Sequence, residues 1–251
     1  MEHTATPPLN AAPAEAETST APVRVWDAPV RLIHWLAVAS FAGAWLTAEA
    51  DGLRGLHILF GLSLIGLMAV RVLWGLVGSP TARFAHFVRG PAAVAAHFHE
   101  LARGTARPHA GHNPAGGWAV LALIGLSLGV GLSGWLTWDV AERFEDLHEA
   151  LAEGLLLLVA VHVAAVLVTS WLTRDKLLGA MFSGRKALDG EAGIPRAYKG
   201  VAALILIAVL GFWAWGLGPN TPFQGEGAGE SHEVRGDKPQ HHAEDDEDDD
   251  D

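Results

Sequence analysis

Apolar positions along this chain gather into five long runs and do not recur on one face or alternate. The runs cover about 30–48, 57–77, 117–138, 151–172 and 201–217. Each approaches the ~20 residues that a helix needs to cross a hydrocarbon core of ~30 Å at ~1.5 Å per residue. A soluble helix needs only one apolar stripe, so runs that are apolar on every side predict membrane spans. His148 lies one turn ahead of the fourth run, so that helix is expected to begin near Leu147. The expected architecture is an all-α membrane protein, a four-helix transmembrane bundle followed by a fifth transmembrane helix.

The polar connections orient these spans. The segment between the second and third runs holds Arg83, Arg89, Arg103 and Arg107, and the segment after the fourth holds Arg174, Lys176, Arg185, Lys186, Arg196 and Lys199. The opposite connections carry Glu49, Asp51 and Arg54, then Asp139, Glu142, Arg143, Glu145 and Asp146. Basic connections stay on the cytoplasmic side. Five spans then put the N-terminus inside and the C-terminus outside. The stretch 83–103 mixes Phe, Ala and Val with basic residues. It reads as an amphipathic helix on the inner surface or as an ordinary solvated helix. Gly125, Gly129, Gly131 and Gly134 give the third span small residues, which let a helix or a flat cofactor approach the backbone closely.

Composition narrows the chemistry. The 251 residues include no cysteine, which excludes disulfides, thiolate metal sites, iron–sulfur clusters and covalent C-x-x-C-H haem attachment. Any cofactor must be held by histidine, carboxylate or packing. Ten tryptophans are present, and Trp26, Trp35, Trp45, Trp74, Trp118, Trp135, Trp138 and Trp171 fall mostly near the expected interfaces, where an aromatic belt accounts for them. Much of the net charge of −11 sits in the run 244–251. Residues 1–22 are rich in Ala, Thr and Pro and lack a basic n-region, so they read as a disordered cytoplasmic lead and not a cleavable signal. The expected organisation is a lead over 1–22, a four-helix transmembrane domain over 23–186, a linker and fifth helix over 187–218, and a disordered acidic and histidine-containing periplasmic tail over 219–251.

Four histidines, His34, His57, His148 and His162, sit in or at the mouth of the apolar runs. A ligand-capable side chain at membrane depth is costly and marks a candidate functional site. His148 and His162 share one helix, 14 residues apart, which is about 21 Å along the axis and about four turns, so both face the same way. The charge-derived topology matches His57 with His148 near the outer face and His34 with His162 near the inner face. Two imidazoles at one level from different helices suit six-coordinate b-type haem iron in a helical bundle. A lone intramembrane histidine also serves as a helix–helix hydrogen bond or a proton-path group. A di-iron site would need Glu-x-x-His motifs at one level, and a proton-coupled transporter would need acids buried mid-helix. The first four runs offer neither pattern clearly.

The segments VWDAPVRLIHW (25–35), LHILFG (56–61), RVLWGLVGS (71–79), GHNPAGGW (111–118), LHEAL (147–151) and VHVAAV around His162 together resemble the bacterial cytochrome b-561 family. That family is grouped with the b-type cytochrome subunit of nickel–iron hydrogenase and the gamma subunit of formate dehydrogenase. The similarity covers about 23–186 and implies a four-helix transmembrane diheme bundle that exchanges electrons with the quinone pool. The family's ligand pattern falls on His34, His57, His148 and His162, the same two pairs that topology gives, and it implies two non-covalent, bis-His haem b groups.

Four further residues are candidates for the cofactor site. Arg31 and Arg71 fall near the inner face, where either can neutralise a propionate of the inner haem or snorkel to headgroups; Arg71, a turn inside its helix, is the better placed. His112 and Asn113 precede the third span, where hydrogen bonds to a quinone carbonyl are expected; Asn-Pro is also a helix-start signal. The tail, with His232, His241, His242 and its acidic end, is either a solvated segment or a surface that attracts a cationic periplasmic redox protein such as a c-type cytochrome, or binds divalent metal weakly.

The function expected is that of a membrane-bound diheme b-type cytochrome. It moves electrons between the quinone pool and a partner redox protein in a respiratory chain, as an electron-transfer subunit and not a stand-alone enzyme, with no nucleic-acid partner. The alternatives are a self-contained haem oxidoreductase, such as a superoxide:quinone oxidoreductase, and a haem-free proton-coupled membrane protein.

Overall fold

The computed structural model describes residues 22–50, 52–106, 110–139, 142–188, 193–219 and 221–223. The N-terminal lead up to residue 21 and the tail from residue 224, with His232, His241, His242 and the acidic run, lie outside the described residues.

Among the described residues, five helices are long and apolar enough to cross a membrane. They are α1 (Ala28–Thr47), α2 (Arg54–Val77), α5 (Pro114–Asp139), α6 (Glu145–Thr173) and α8 (Lys199–Gly216). Shorter helices α3 (Phe84–Phe87) and α4 (Pro91–Ala102) join α2 to α5, and α7 (Leu177–Ser183) follows α6. Strands β1 (Val23–Arg24) and β2 (Arg185–Lys186) pair antiparallel, Val23 opposite Lys186. The chain is a multi-pass all-α membrane protein with one two-stranded ribbon among the described residues.

Local sequence explains the helix limits. Asp27 caps α1, its Oδ1 accepting from Val30 N at 2.7 Å, and Pro29 sits in the first turn where its missing N–H costs nothing. Asn113 does the same for α5, its Oδ1 accepting from Gly116 N at 2.6 Å directly before Pro114. These caps start α1 and α5 two or three residues ahead of the apolar runs. α6 begins at Glu145, with Glu145 and Asp146 in its first turn, where their charge complements the helix dipole.

Successive spans run in opposite directions, so the bundle has two ends. At the sheet end α1, α5 and α8 start and α2 and α6 finish, with α3, α4, α7 and the β-ribbon around them. At the far end α1, α5 and α8 finish and α2 and α6 start. α1 packs along α2, α5 along α6, and α2 bridges to α5, while α8 lies on α1 and α2. α6 has no comparable backbone packing on α1 or α2. The shared core is Ile33, Leu64, Leu67, Met68, Ile124, Leu155 and Ile205, drawn from all five spans. Large apolar side chains such as Leu73, Val77, Leu157, Trp171, Leu204 and Ile207 face outward. Hydrocarbon gives no hydrophobic drive between helices, so close packing does the joining. Gly131 is one such contact: a Cβ there would stand 2.0 Å from Ile65 Cγ1.

The sheet end is tied polar group by polar group. Asp27 is fully buried, and its Oδ2 accepts from Trp74 Nε1 at 2.9 Å, joining the start of α1 to the end of α2. Gly184 O accepts from Val25 N and Trp26 N at 2.9 and 3.2 Å, and Ile194 N donates to Arg24 O at 2.8 Å. Gly184 has φ +77, and a Cβ there would crowd Trp26 O and Arg31 Nη1 at 2.9 Å, so the position requires glycine. Lys186 and Asp175, both nearly buried, form an ion pair at 2.5 Å. Val25, Trp26, Val30, Ala82, Ala180 and Leu188 make a second apolar cluster here.

Candidate cofactor-binding site

At the far end, α2 supplies His57 and α6 supplies His148. Their ring centres are 6.0 Å apart and their planes stand at 88°. Two imidazoles on opposite sides of one metal ion place their ring centres about 6 Å apart, given bonds of about 2 Å and about 1 Å from nitrogen to ring centre. His57 Nδ1 lies 2.8 Å from Ala44 O on α1. His148 Nδ1 lies 3.0 Å from Val130 O and 3.3 Å from Ser133 Oγ on α5. A carbonyl only accepts, so each Nδ1 donates to it, and each Nε2 is the ring nitrogen left to ligate a metal. Four helices thus set two rings: α2 and α6 carry them, and α1 and α5 hold their orientation. Gly134 makes room, since a Cβ there would stand 2.8 Å from His148 Cε1. Gly61, one turn along α2 from His57, has nothing within 4 Å of its Cβ position, space that a flat macrocycle can use.

At the sheet end, His34 from α1 and His162 from α6 lie within electrostatic reach of each other. His112, just before α5, is within reach of both His162 and Arg71. Its ring packs on Trp26 at 4.6 Å and on Phe87 at 4.4 Å. Burial pushes the His112 imidazole down to about 3, and the Arg71 and Lys186 cations and the nearby His162 ring add to the effect, so it is neutral at physiological pH. Arg71 is buried, with its guanidinium 5.2 Å from the Phe84 ring centre and 6.0 Å from that of Phe87. Both terminal nitrogens of Arg71, Nδ1 of His34, Nδ1 of His112, Nε1 of Trp35 and Oγ1 of Thr81 are buried without a hydrogen-bond partner. Asp27 is the nearby acid, but its two oxygens already accept from Val30 N and Trp74 Nε1. A buried guanidinium with idle donors is costly, and a carboxylate that accepts two parallel hydrogen bonds is the chemistry that fits it.

The remaining candidates have defined neighbours. Arg31 donates through Nε to Met181 O at 3.3 Å and through Nη2 to Phe182 O, fastening α1 to α7. Asn113 uses its amide oxygen as the α5 cap, which leaves its NH₂ available to donate. Sequence reasoning did not foresee Ala44, Val130, Ser133 or Thr81. The first two act through backbone carbonyls, which no side-chain pattern encodes. Gly134 was visible only as one of several small residues. Among the described residues no three or more His, Asp or Glu side chains form a metal cage. A haem iron needs only two protein ligands, its other four coming from the macrocycle.

Five spans, with imidazoles brought together from different helices, define a multi-pass membrane protein built to hold a metal-centred cofactor inside its bundle. A family model described as prokaryotic cytochrome b561 matches residues 25–184, more than half of the chain. The chain belongs to the prokaryotic cytochrome b561 family: it is a membrane b-type cytochrome of electron transfer, with haem b as its cofactor class. Helix α8 lies beyond the matched residues. No curated protein and no solved structure matches the chain.

Proposed function

We propose that this protein holds two haem b groups, one between His57 and His148 and one between His34 and His162, and relays electrons between quinone and a partner redox protein. The observation that carries the proposal is the far-end pair, with ring centres 6.0 Å apart and both Nδ1 atoms engaged by α1 and α5 carbonyls. The 14-residue interval on α6 sets the second pair about 21 Å deeper. When bound, haem b supplies one-electron iron chemistry, tuned by axial ligands, burial and hydrogen bonding.

The chain's own residues do the rest. The Ala44 and Val130 carbonyls fix the tautomer and aim of His57 and His148. Arg71 holds a propionate of the sheet-end haem with the terminal nitrogens that are otherwise unpartnered. Arg31, whose donors serve the α7 carbonyls, fastens the helices beside it. The Asn113 NH₂ and the neutral His112 ring line the sheet end as hydrogen-bonding groups for a quinone carbonyl. The sheet end is the cytoplasmic one, because Arg83, Arg89, Arg103, Arg174, Lys176 and Arg196 lie in its connections. The far end then faces the periplasm, where a soluble partner such as a c-type cytochrome docks.

A pyridine haemochromogen assay on the purified chain tests this proposal. Two b haems per chain are expected, falling to one in His57→Ala and to one in His34→Ala, with different spectra remaining. Two haems retained by either variant would break the pairing, and none in the parent chain would end the proposal.

A further inference from the structure

Helix α8 and the described residues after it fall outside the family match, yet they pack on α2 and α5, the helices that carry or orient the far-end rings. Trp213 Nε1 donates to Ser63 Oγ at 2.8 Å, pinning α8 to α2. Past the helix end, Thr221 Oγ1 turns back to Gly216 O at 3.1 Å, and both residues are buried. Phe223, only 9% exposed, is then wedged between three elements. Its carbonyl lies so close to the first turn of α2 that a Cβ on Gly55 would be 1.9 Å from the oxygen. Its ring meets Trp215 at 5.5 Å and Phe212 at 6.3 Å on α8, and Trp138 at 6.1 Å on α5.

Two of these elements, α2 and α5, carry or orient the far-end rings. Gly55 precedes His57 by two residues on the same first turn of α2. Trp138 lies one turn beyond Gly134, the residue against which the His148 ring sits, so Trp138 continues that face of α5 towards the far end. An aromatic wedge that ties the start of α2 to Trp138 closes the bundle beside the His57–His148 pair.

We propose, resting on the two-haem reading above, that residues 221–223 are a plug that α8 holds in place. The plug keeps water from the His57–His148 site and thereby raises the potential of the iron there. Phe223 and Gly55 are positioning residues, acting through Trp138 and the first turn of α2. The physical basis is that an apolar, water-excluding shell disfavours the more highly charged oxidised state of a metal site.

Redox titration of the full-length, haem-loaded chain tests the plug, together with hydrogen exchange at the α2 amides of residues 55–58. Phe223→Ala is expected to move one of two reductive transitions to lower potential, leave the other in place, and speed exchange at 55–58 several-fold. Phe223→Leu, which refills the space, should return both readouts most of the way. Gly55→Ala displaces the Phe223 carbonyl without touching its ring and should give the same one-sided shift, so it decides the matter if Phe223→Ala folds poorly. Unmoved potentials and exchange in Phe223→Ala and Gly55→Ala, at full haem content, would overturn the plug. Absence of haem from the parent chain would instead sink the two-haem reading, and the exchange experiment would still decide whether residues 221–223 seal the α2 start.

Discussion

The two ends of this bundle offer the same ligand type in opposite states of completion. At the far end the protein satisfies itself: His57 and His148 each have Nδ1 on a backbone carbonyl, and their rings already stand at ligating separation. At the sheet end the buried donors are idle, with His34 Nδ1, His112 Nδ1, Trp35 Nε1 and both terminal Arg71 nitrogens lacking acceptors. The backbone there is nonetheless tied by its ribbon, its caps and the Lys186–Asp175 pair. A tied frame around unsatisfied donors fits a bound molecule that brings acceptors, and on the proposal above the far end would need only a metal and a macrocycle. On the two-haem proposal, the far-end site would select by ligand geometry and the sheet-end site by charge and hydrogen bonding.

The largest effect expected in that comparison comes from Arg71. Arg71→Leu should weaken retention of one haem tenfold or more and lower its potential, since a positive charge beside a carboxylate favours the reduced iron. The other haem should keep its spectrum and potential. The haem-free chain should melt no lower than the parent, because the substitution removes a buried cation with idle donors. Haem retention in detergent and calorimetry measure the two halves. Equal loss of both haems would mean that Arg71 supports the fold and not one site, and the contrast between the ends would fail.

A smaller and more selective effect is expected at Asn113. Alanine there would remove the α5 cap, at about 1 kcal/mol, as well as the amide. Asn113→Asp separates the two roles, because it keeps an oxygen for Gly116 N and deletes the NH₂. Quinol-driven haem reduction should slow several-fold in stopped-flow measurements, with haem spectra and helix content unchanged. An unchanged rate would confine Asn113 to capping and leave the sheet end without its proposed quinone contact.

Much of this was legible in the sequence because membrane spans are written as composition. The five runs gave five helices, displaced by two or three residues where Asp27–Ala28–Pro29 and Asn113–Pro114 cap them and where Arg54 opens α2. That His57 and His148 share the far end followed from direction alone, since both stand at the starts of parallel spans, α2 and α6. The carbonyls of Ala44 and Val130 were not legible, because they depend on which helix lies beside which ring. Arg31 illustrates the same limit: its place near the inner face suited a propionate or a headgroup, while α7, folding back after Arg174 adopts a left-handed turn (φ 55), offers it carbonyls. Phe223 lies past the last apolar run, where neither periodicity nor charge marks a buried ring.

The smallest expected effect is also the finest probe of what the sheet end receives. The folded chain holds His112 near 3 against an ordinary 6.5, through burial first and then Arg71, His162 and Lys186. Between those values the unfolded chain binds a proton that the folded chain refuses. Stability is therefore full above about pH 6.5 and declines as pH falls towards 3. The haem-free chain should lose melting temperature steadily between pH 7 and pH 5, and His112→Leu should flatten that slope. Loading haem should flatten it in part, because a propionate on Arg71 would offset the share that Arg71 adds to the effect of burial. A slope that His112→Leu leaves unchanged would show that another group carries the acid sensitivity. A slope that haem leaves unchanged, with His112 confirmed as its source, would move the propionate away from Arg71 and return the sheet end to the same self-contained logic as the far end.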